Sequence, residues 1–410
     1  MTWNVSDTMD QRIRFVLDVQ RAEFSKAQCC RRYGISRPTG DKWLERYSTG
    51  GPAAMIDLSR APHQHPNQVP EELAAMIISL RKQYPRWGPK KLQVLIQRRY
   101  GGIVPPACST IGEILRRAGL TAPRRKRHRT PPYTQPFGAC NASNDVWCID
   151  FKGHFTTGDG RRCDPLTITD AFSRHLLRVQ AVEKTDGVTV WPLLEAAFRE
   201  FGLPRAIRSD NGSPFASRAL GGLSRLSVQW LMLGIQPERI EPGHPEQNGR
   251  HERMHRTLKA ETANPPSPNL RSQQKAFDAF REEFNFVRPH EALGQRTPAS
   301  VYTVSPREYL GPTEPDYGDN CEVRCVRRGG EIKWQGKLVY VSQLLAGLPV
   351  GLIQVGDRRW EVRFCEYVLG HLDGRRHRVN PIMNRKPQDA TAIDPPFRCA
   401  PGRIDGGRNL

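Results

Sequence analysis

The chain has 410 residues, a formal net charge of +20 and an isoelectric point near 9.9. That length fits two to four domains around at least one sizeable core, and the positive excess points to a polyanionic partner, usually nucleic acid. No stretch reaches the roughly 18 apolar residues of a membrane span, residues 1–10 lack a signal peptide's apolar core, and ten cysteines without a Cys-x-x-Cys pair read as reduced thiols of a cytosolic protein rather than zinc or disulfide sites.

Residues 11–20 place Ile13, Val16 and Leu17 at helical spacing. Ser25 caps a second helix over 26–33, and the turn Gly34-Ile35-Ser36 leads into a third over 37–47. Helix, short Gly-containing turn, helix is the pattern of a helix-turn-helix, expected to fill residues 1–60. Its third helix offers Arg37, Thr39, Lys42 and Arg46 to phosphates and base edges, while Trp43 and Leu44 face inward. Beyond the linker at 60–70, helices over 71–84, 89–100 and 109–118 make a second helical, DNA-contacting domain over 61–122. Pro89 starts its middle helix, with Lys90 and Lys91 in the first turn. Residues 123–143 then form a basic linker. Its run Arg124, Arg125, Lys126, Arg127 is too charged and Pro-broken to pack, and is expected to lie extended along phosphates.

From residue 144 the texture changes to alternating strands and helices. Strands are expected over 145–155, 163–170 and 176–182, then a helix over 187–201 and a strand over 206–209. A Leu-rich helix near 217–233, a strand near 235–240 and helices over 249–262 and 272–287 follow. Three antiparallel strands followed by β-α units make a mixed α/β sheet, in the order of the ribonuclease H-like fold, over 144–299. A Pro-rich connector at 300–320 leads to short strands at 331–334, 337–341, 352–355, 359–364 and 367–372. These are expected to close into a small SH3-like β-barrel over 320–375, with a basic, disordered tail at 376–410. The expected protein is therefore multidomain: all-α at its start, α/β in its core and all-β near its end.

Three carboxylates stand out. Asp150 lies in the apolar strand Trp147-Cys148-Ile149-Asp150-Phe151-Lys152, where an ionised group is costly unless paired or metal-bound. Asp210 ends a short strand at an Asn-Gly turn, the place where open α/β sheets hold ligands. The third acid lies in Pro242 to Arg253, a loop leading into a helix with Glu246 and Glu252 toward its two ends. Two strand-borne aspartates and a helix-borne glutamate can hold two Mg²⁺ (or Mn²⁺) ions about 3.5–4 Å apart, which activate an attacking water or 3′-hydroxyl and stabilise the leaving oxygen.

With these residues in view, the chain resembles the DDE transposases and retroviral integrases, and specifically the transposases of insertion-sequence family 481. The resemblance runs over nearly the whole chain. It rests on Asp41-Lys42-Trp43-Leu44-Glu45-Arg46-Tyr47, Tyr84-Pro85-Arg86-Trp87-Gly88-Pro89-Lys90-Lys91, Asp210-Asn211-Gly212-Ser213-Pro214-Phe215, the stretch Asn248 to Lys259, and Phe284-Asn285-Phe286-Val287-Arg288-Pro289-His290-Glu291-Ala292-Leu293. It implies that Asp150, Asp210 and Glu252 are the catalytic, metal-holding triad, and that Arg256 and Lys259, four and seven residues past Glu252, contact the DNA end. It also implies double-stranded DNA as partner, a dimer or tetramer on that DNA, and a place at the bacterial nucleoid. Helical spacing groups His255, Arg256 and Lys259 on one face with Glu252.

Integrases leave 35 residues between the second Asp and the Glu. Glu246 satisfies that count, whereas Glu252 leaves 41. Local context favours Glu252, three residues past the Gly of Asn248-Gly249 and within the basic helix, with extra residues around 218–234 accounting for the longer spacing. The implied reaction is cleavage at the ends of a mobile element and transfer of the freed 3′-hydroxyls into target DNA. A DNA-binding regulator with a silent core, or a structure-selective nuclease of the same fold, are the alternatives.

Overall fold

A computed structural model describes residues 7–59, 68–121, 140–217, 219–240 and 249–381. Arg124, Arg125, Lys126 and Arg127 of the expected linker, Glu246, and the expected tail from residue 382 onward lie outside the described residues. The chain divides into two compact units, Met1–Ala74 and Ala75–Leu410.

In the first unit α1 (Thr8–Gln20), α2 (Lys26–Arg32) and α3 (Arg37–Gly50) enclose Phe15, Val16, Cys29, Cys30, Trp43 and Met55. Ser25 and Gln28 form a capping box that starts α2, and the Ser36 hydroxyl caps α3 by accepting from the Thr39 backbone. The α2–α3 crossing is tight at Gly40, where a Cβ would stand 2.7 Å from Cys30 Sγ. This is the helix-turn-helix the apolar spacing called for.

The division between units falls within α4 (Glu71–Gln83), which is followed by α5 (Pro89–Arg99) and α6 (Cys108–Arg117). Next comes the α/β core: β1 (Val146–Phe151), β2 (Phe155–Thr156), β3 (Arg162–Asp170), β4 (Leu176–Val182), α7 (Gly187–Phe201), β5 (Ala206–Ser209), α8 (Arg225–Met232), β6 (Gln236–Arg239), α9 (Gly249–Thr262) and α10 (Leu270–Glu282). Its strands lie in the order β4-β3-β1-β5-β6, with β2 paired to the start of β3. The β4-β3 and β3-β1 pairs are antiparallel, and β1-β5 and β5-β6 are parallel. Because side chains alternate along a strand, Trp147, Ile149, Ile168 and Ile207 face one way, onto Leu194 and Phe198 of α7 and Leu226 and Trp230 of α8. Cys163, Leu176 and Val179 face the other way, onto Met254 and Leu258 of α9 and Phe277 and Phe280 of α10. This is a ribonuclease H-like layer arrangement, helices on both faces of a mixed sheet.

Strand β4 is an edge, and the segment after α9 seals it with side chains rather than with another strand. Gln274 accepts from the Ala181 amide (2.8 Å) and donates to the Val179 carbonyl (2.9 Å), and Arg281 donates to the Leu177 carbonyl (2.9 Å). Buried Asn285, in the π-helical turn Glu283–Val287, accepts from the Leu176 amide (2.8 Å) and donates to its carbonyl (2.9 Å). Covering a bare edge in this way removes a template for unwanted pairing. Asn285→Ala strands two buried backbone groups and is expected to cost about 2–3 kcal/mol. An unchanged urea midpoint in the variant would show that Asn285 does not hold this edge.

Seven strands follow: β7 (Glu322–Cys325), β8 (Glu331–Trp334), β9 (Lys337–Tyr340), β10 (Pro349–Gly356), β11 (Arg359–Phe364), β12 (Tyr367–Asp373) and β13 (Arg378–Pro381). They differ from the expected closed barrel. Five form an open antiparallel sheet, β13-β12-β11-β10-β7, and β8-β9 is a separate hairpin. The physical reason lies at the edges: β7 and β13 are only four residues long, and β13 ends at Pro381, which has no N–H to donate. Side chains do the wrapping, with Ile332, Trp334 and Val339 of the hairpin buried beside Leu352, Val362, Phe364 and Leu372 of the sheet. β13 also lies where a disordered tail is expected from residue 376. Leu223, with Val228 and Leu231 of α8, enters the same apolar cluster, so the C-terminal sheet shares a core with the α/β layer.

Candidate active site

The β1-β5 register runs Val146↔Ala206, Trp147↔Ile207, Cys148↔Arg208. Continuing it two residues brings Asp150 opposite Asp210, at the carboxyl ends of two neighbouring parallel strands about 4.8 Å apart. Asp150 shares the α9 face of the sheet with Thr167, its partner across the β1-β3 ladder. Asp210 sits in a tight turn: its Oδ1 accepts from the Gly212 amide (3.2 Å), and Asn211 donates to the Ile240 carbonyl (2.8 Å). A Cβ at Gly212 would stand 3.0 Å from Asp210 Oδ2, so the turn gains room for the carboxylate from glycine. Glu252 is exposed in the first turn of α9. Burial, then the charges of Asp210 and Glu252, raise the Asp150 carboxyl to about 7. Three acidic groups thus act on one another, and their mutual repulsion is of the kind a divalent cation relieves.

Helix α9 turns a second set of groups inward. His251 and His255 are both buried. The Thr167 hydroxyl lies 2.7 Å from His251 Nε2, 2.6 Å from His255 Nε2 and 3.1 Å from the Asp150 carbonyl oxygen, and Thr169 Oγ1 lies 2.9 Å from His251 Nδ1. Burial depresses the proton affinity of both imidazoles, His251 to about 3, and the neighbouring His251 and Lys152 add to the depression at His255; both rings are neutral at neutral pH. His255 Nδ1 is 3.8 Å from Asp150 Oδ2. The single face that helical spacing drew through Glu252, His255, Arg256 and Lys259 is therefore split. His255 points into the sheet, whereas Glu252, Arg256 and Lys259 are exposed.

Those exposed groups line an open cleft of about 450 Å³ with Lys152, Ala260 and Asn264. Lys152, two residues past Asp150, is a cation that motif reading passed over; period-two alternation along the strand was the signal that could have found it. The histidines and threonines could not be found that way, since they meet only across the sheet-helix interface.

The remaining DNA-contact candidates divide. Arg37 and Lys42 are exposed on α3. Thr39 is tied to Ser36 Oγ (2.8 Å), and Arg46 lies over the Trp43 ring (5.0 Å) and donates to the Ile56 carbonyl (3.5 Å), so both have roles in the domain's own packing. Lys90 and Lys91 have acidic neighbours within the chain. Lys90 pairs with Glu291 (2.7 Å). Lys91 is held among Arg288, Glu283, Glu261 and Glu291, and burial, then Arg288, lowers it to about 8. The start of α5 thus stands beside the segment 283–291, with Lys90 still largely exposed and Lys91 largely buried.

A ribonuclease H-like sheet with two aspartates at adjacent strand ends and an acidic, basic-faced helix beside them defines an integrase-type core. Residues 141–245 and 233–298 each match a model described as Integrase core domain, residues 11–63 match a Helix-turn-helix domain, and residues 39–115 match a Homeodomain-like domain. The chain carries an integrase core together with helix-turn-helix domains. An uncharacterized 31.7 kDa protein of insertion element IS407 from Burkholderia multivorans is 28% identical over 283 residues, covering 68% of this chain and 91% of that one. The transposase InsD of insertion element IS2 from Escherichia coli is 27% identical over 240 residues, covering 55% and 74%. The magnesium-complexed catalytic core of HTLV-2 integrase aligns at 17% identity and TM-score 0.31 over 40% of this chain and 99% of that one. Among the described residues no helix is long and apolar enough to cross a membrane.

Proposed function

We infer that the protein is a DNA transposase, a polynucleotidyl transferase that cleaves DNA at the ends of a mobile element and joins the freed 3′-hydroxyls to target DNA. The observation that carries this reading is the convergence of Asp150 and Asp210, on adjacent parallel strands, with Glu252 at the start of α9. The likeness to an insertion-element transposase supports it. Asp150, Asp210 and Glu252 hold divalent metal, two Mg²⁺ or Mn²⁺ ions. The crowding that raises Asp150 fits such a cation, and oxygen donors suit Mg²⁺. When bound, the ions supply Lewis-acid activation of the attacking hydroxyl or water and stabilisation of the leaving oxygen. Lys152, Arg256 and Lys259 seat the scissile strand's phosphates in the cleft beside Glu252.

Residues 1–60 and 61–122 recognise the element's ends, with Arg37 and Lys42 nearest to hand for phosphates and bases, and Arg124–Arg127 follow the backbone. Pairing two ends calls for a dimer or tetramer on DNA. The order of the motifs from Asp41 to Leu293 supports placement with insertion-sequence family 481.

The test is metal-dependent cleavage and strand transfer on DNA carrying the gene's flanking ends, comparing wild type with Glu252→Gln and Glu246→Gln. Loss with Glu252→Gln alone, DNA binding being retained, is expected. Loss with Glu246→Gln alone moves the third ligand but keeps the reaction. A wild type that binds the ends and never cuts them makes the protein a regulator.

A further inference from the structure

The threonine-histidine network beneath Asp150 assigns protons. With the Thr167 hydroxyl donating to the Asp150 carbonyl oxygen (3.1 Å), which only accepts, one arrangement of protons satisfies the whole network. The hydroxyl's contacts with His251 Nε2 (2.7 Å) and His255 Nε2 (2.6 Å) are then donated by the rings. Each neutral imidazole has a single N–H, so both Nδ1 atoms carry lone pairs. His251 spends its lone pair accepting from Thr169 Oγ1 (2.9 Å). His255 Nδ1 instead faces Asp150 Oδ2, 3.8 Å away, so a neutral nitrogen acceptor is aimed beside a carboxylate oxygen.

Asp150, His251 and His255 form one group of potential ligands, and with both His251 nitrogens engaged, the group reduces to Asp150 and His255. One ion bonded to each at about 2.1 Å can span a 3.8 Å gap. A ligating histidine ordinarily fixes its ring by donating the other N–H, which is what His255 does to Thr167.

We propose that His255 Nδ1 is a ligand, beside Asp150, of the divalent ion held there, so that this site is not an all-oxygen site and favours Mn²⁺ and other imidazole-accepting ions over Mg²⁺. The inference rests on the triad reading and adds a fourth residue, with a nitrogen donor, to it.

The test uses the full chain with Mn²⁺ alone as probe and pulsed electron paramagnetic resonance as readout. Wild type grown with ¹⁵N-histidine is expected to show directly coordinated ¹⁵N on the bound Mn²⁺. That coupling is expected to vanish in His255→Asn and His255→Gln and to persist in His251→Asn. Mn²⁺ affinity should fall about tenfold or more in the two His255 variants, and Mg²⁺ affinity far less. The labelled wild type reads the ligand directly, so a variant that fails to fold does not decide the matter. Mn²⁺ bound in an Asp150-dependent way without nitrogen coupling overturns the proposal and leaves the triad standing. The same holds for coupling that survives in either His255 variant. Mn²⁺ binding that is absent, or unaffected by Asp150→Asn, overturns the triad reading and this proposal together.

Discussion

Replacing Asp150 by Asn is expected to raise the thermal stability of the metal-free protein at pH 8 while lowering DNA cleavage roughly a thousandfold or more. The stability half follows from linkage. A carboxyl raised from an ordinary 3.8 to about 7 is favoured in its protonated form by the fold, so its contribution is fully present below about pH 4 and is lost as pH rises through 7. At pH 8 the wild type therefore holds an ionised, largely buried carboxylate near Asp210 and Glu252, and Asn removes that charge at nearly constant volume. At roughly 1.4 kcal/mol per pKa unit the gain is of the order of 2–4 kcal/mol, a shift of several degrees in Tm. Near pH 4, where the group is largely protonated in the unfolded chain as well, the two proteins should melt nearly alike, and the difference should grow as pH rises. Added Mg²⁺ should stabilise the wild type at pH 8 and leave Asp150→Asn unmoved. A pH-independent difference, or none at pH 8, would mean that the carboxylates do not crowd one another.

Local patterns were enough to place much of the chain. The apolar spacing over 187–201 and 206–209 matches α7 and β5 residue for residue, Ser25 announced the start of α2, and the turn Gly34-Ile35-Ser36 that of α3. Where reading failed, the deciding interaction was long-range. Successive residues on a helix differ by about 100°, so spacing could group His255 with Arg256, but only β3 decides that the boundary between buried and exposed runs between them. Lys90 and Lys91 carry no local sign that their partners are Glu291 and the acids around Arg288. A run of alternating short strands likewise fits a barrel or an open sheet equally well. Only the short edges β7 and β13, neither of them visible as a strand in the sequence, decide for the open sheet.

Replacing Arg288 by Met is expected to destabilise the second unit by about 3–5 kcal/mol, more at pH 8 than at pH 5. Arg288 is 5% exposed. Its Nη2 lies 2.5 Å from Glu261 and 2.9 Å from Glu283, and its guanidinium stands 5.8 Å from the centroid of the buried Trp87 ring and 5.7 Å from that of Phe280. It therefore ties the turn before α5 to α9, α10 and the π-helical turn at once. Methionine fills similar volume and keeps the ring contacts, so the loss isolates the charge. Glu283 is already raised, by burial first, with Arg288 holding it down through hydrogen bonds and charge. Without the arginine it rises further, and a raised carboxyl loses its stabilising contribution as pH climbs through the folded value, which makes the deficit larger at pH 8. Adding Glu261→Gln and Glu283→Gln to Arg288→Met should restore much of the loss, because the uncompensated charges go with the pair. Arg288→Lys should rescue little, since one ammonium cannot satisfy two carboxylates and lie over the Trp87 ring together. Thermal melts at the two pH values, with amide exchange along α5, read the outcome. Equal stability of Arg288→Met and wild type at both would show that α5 is held by apolar contact alone.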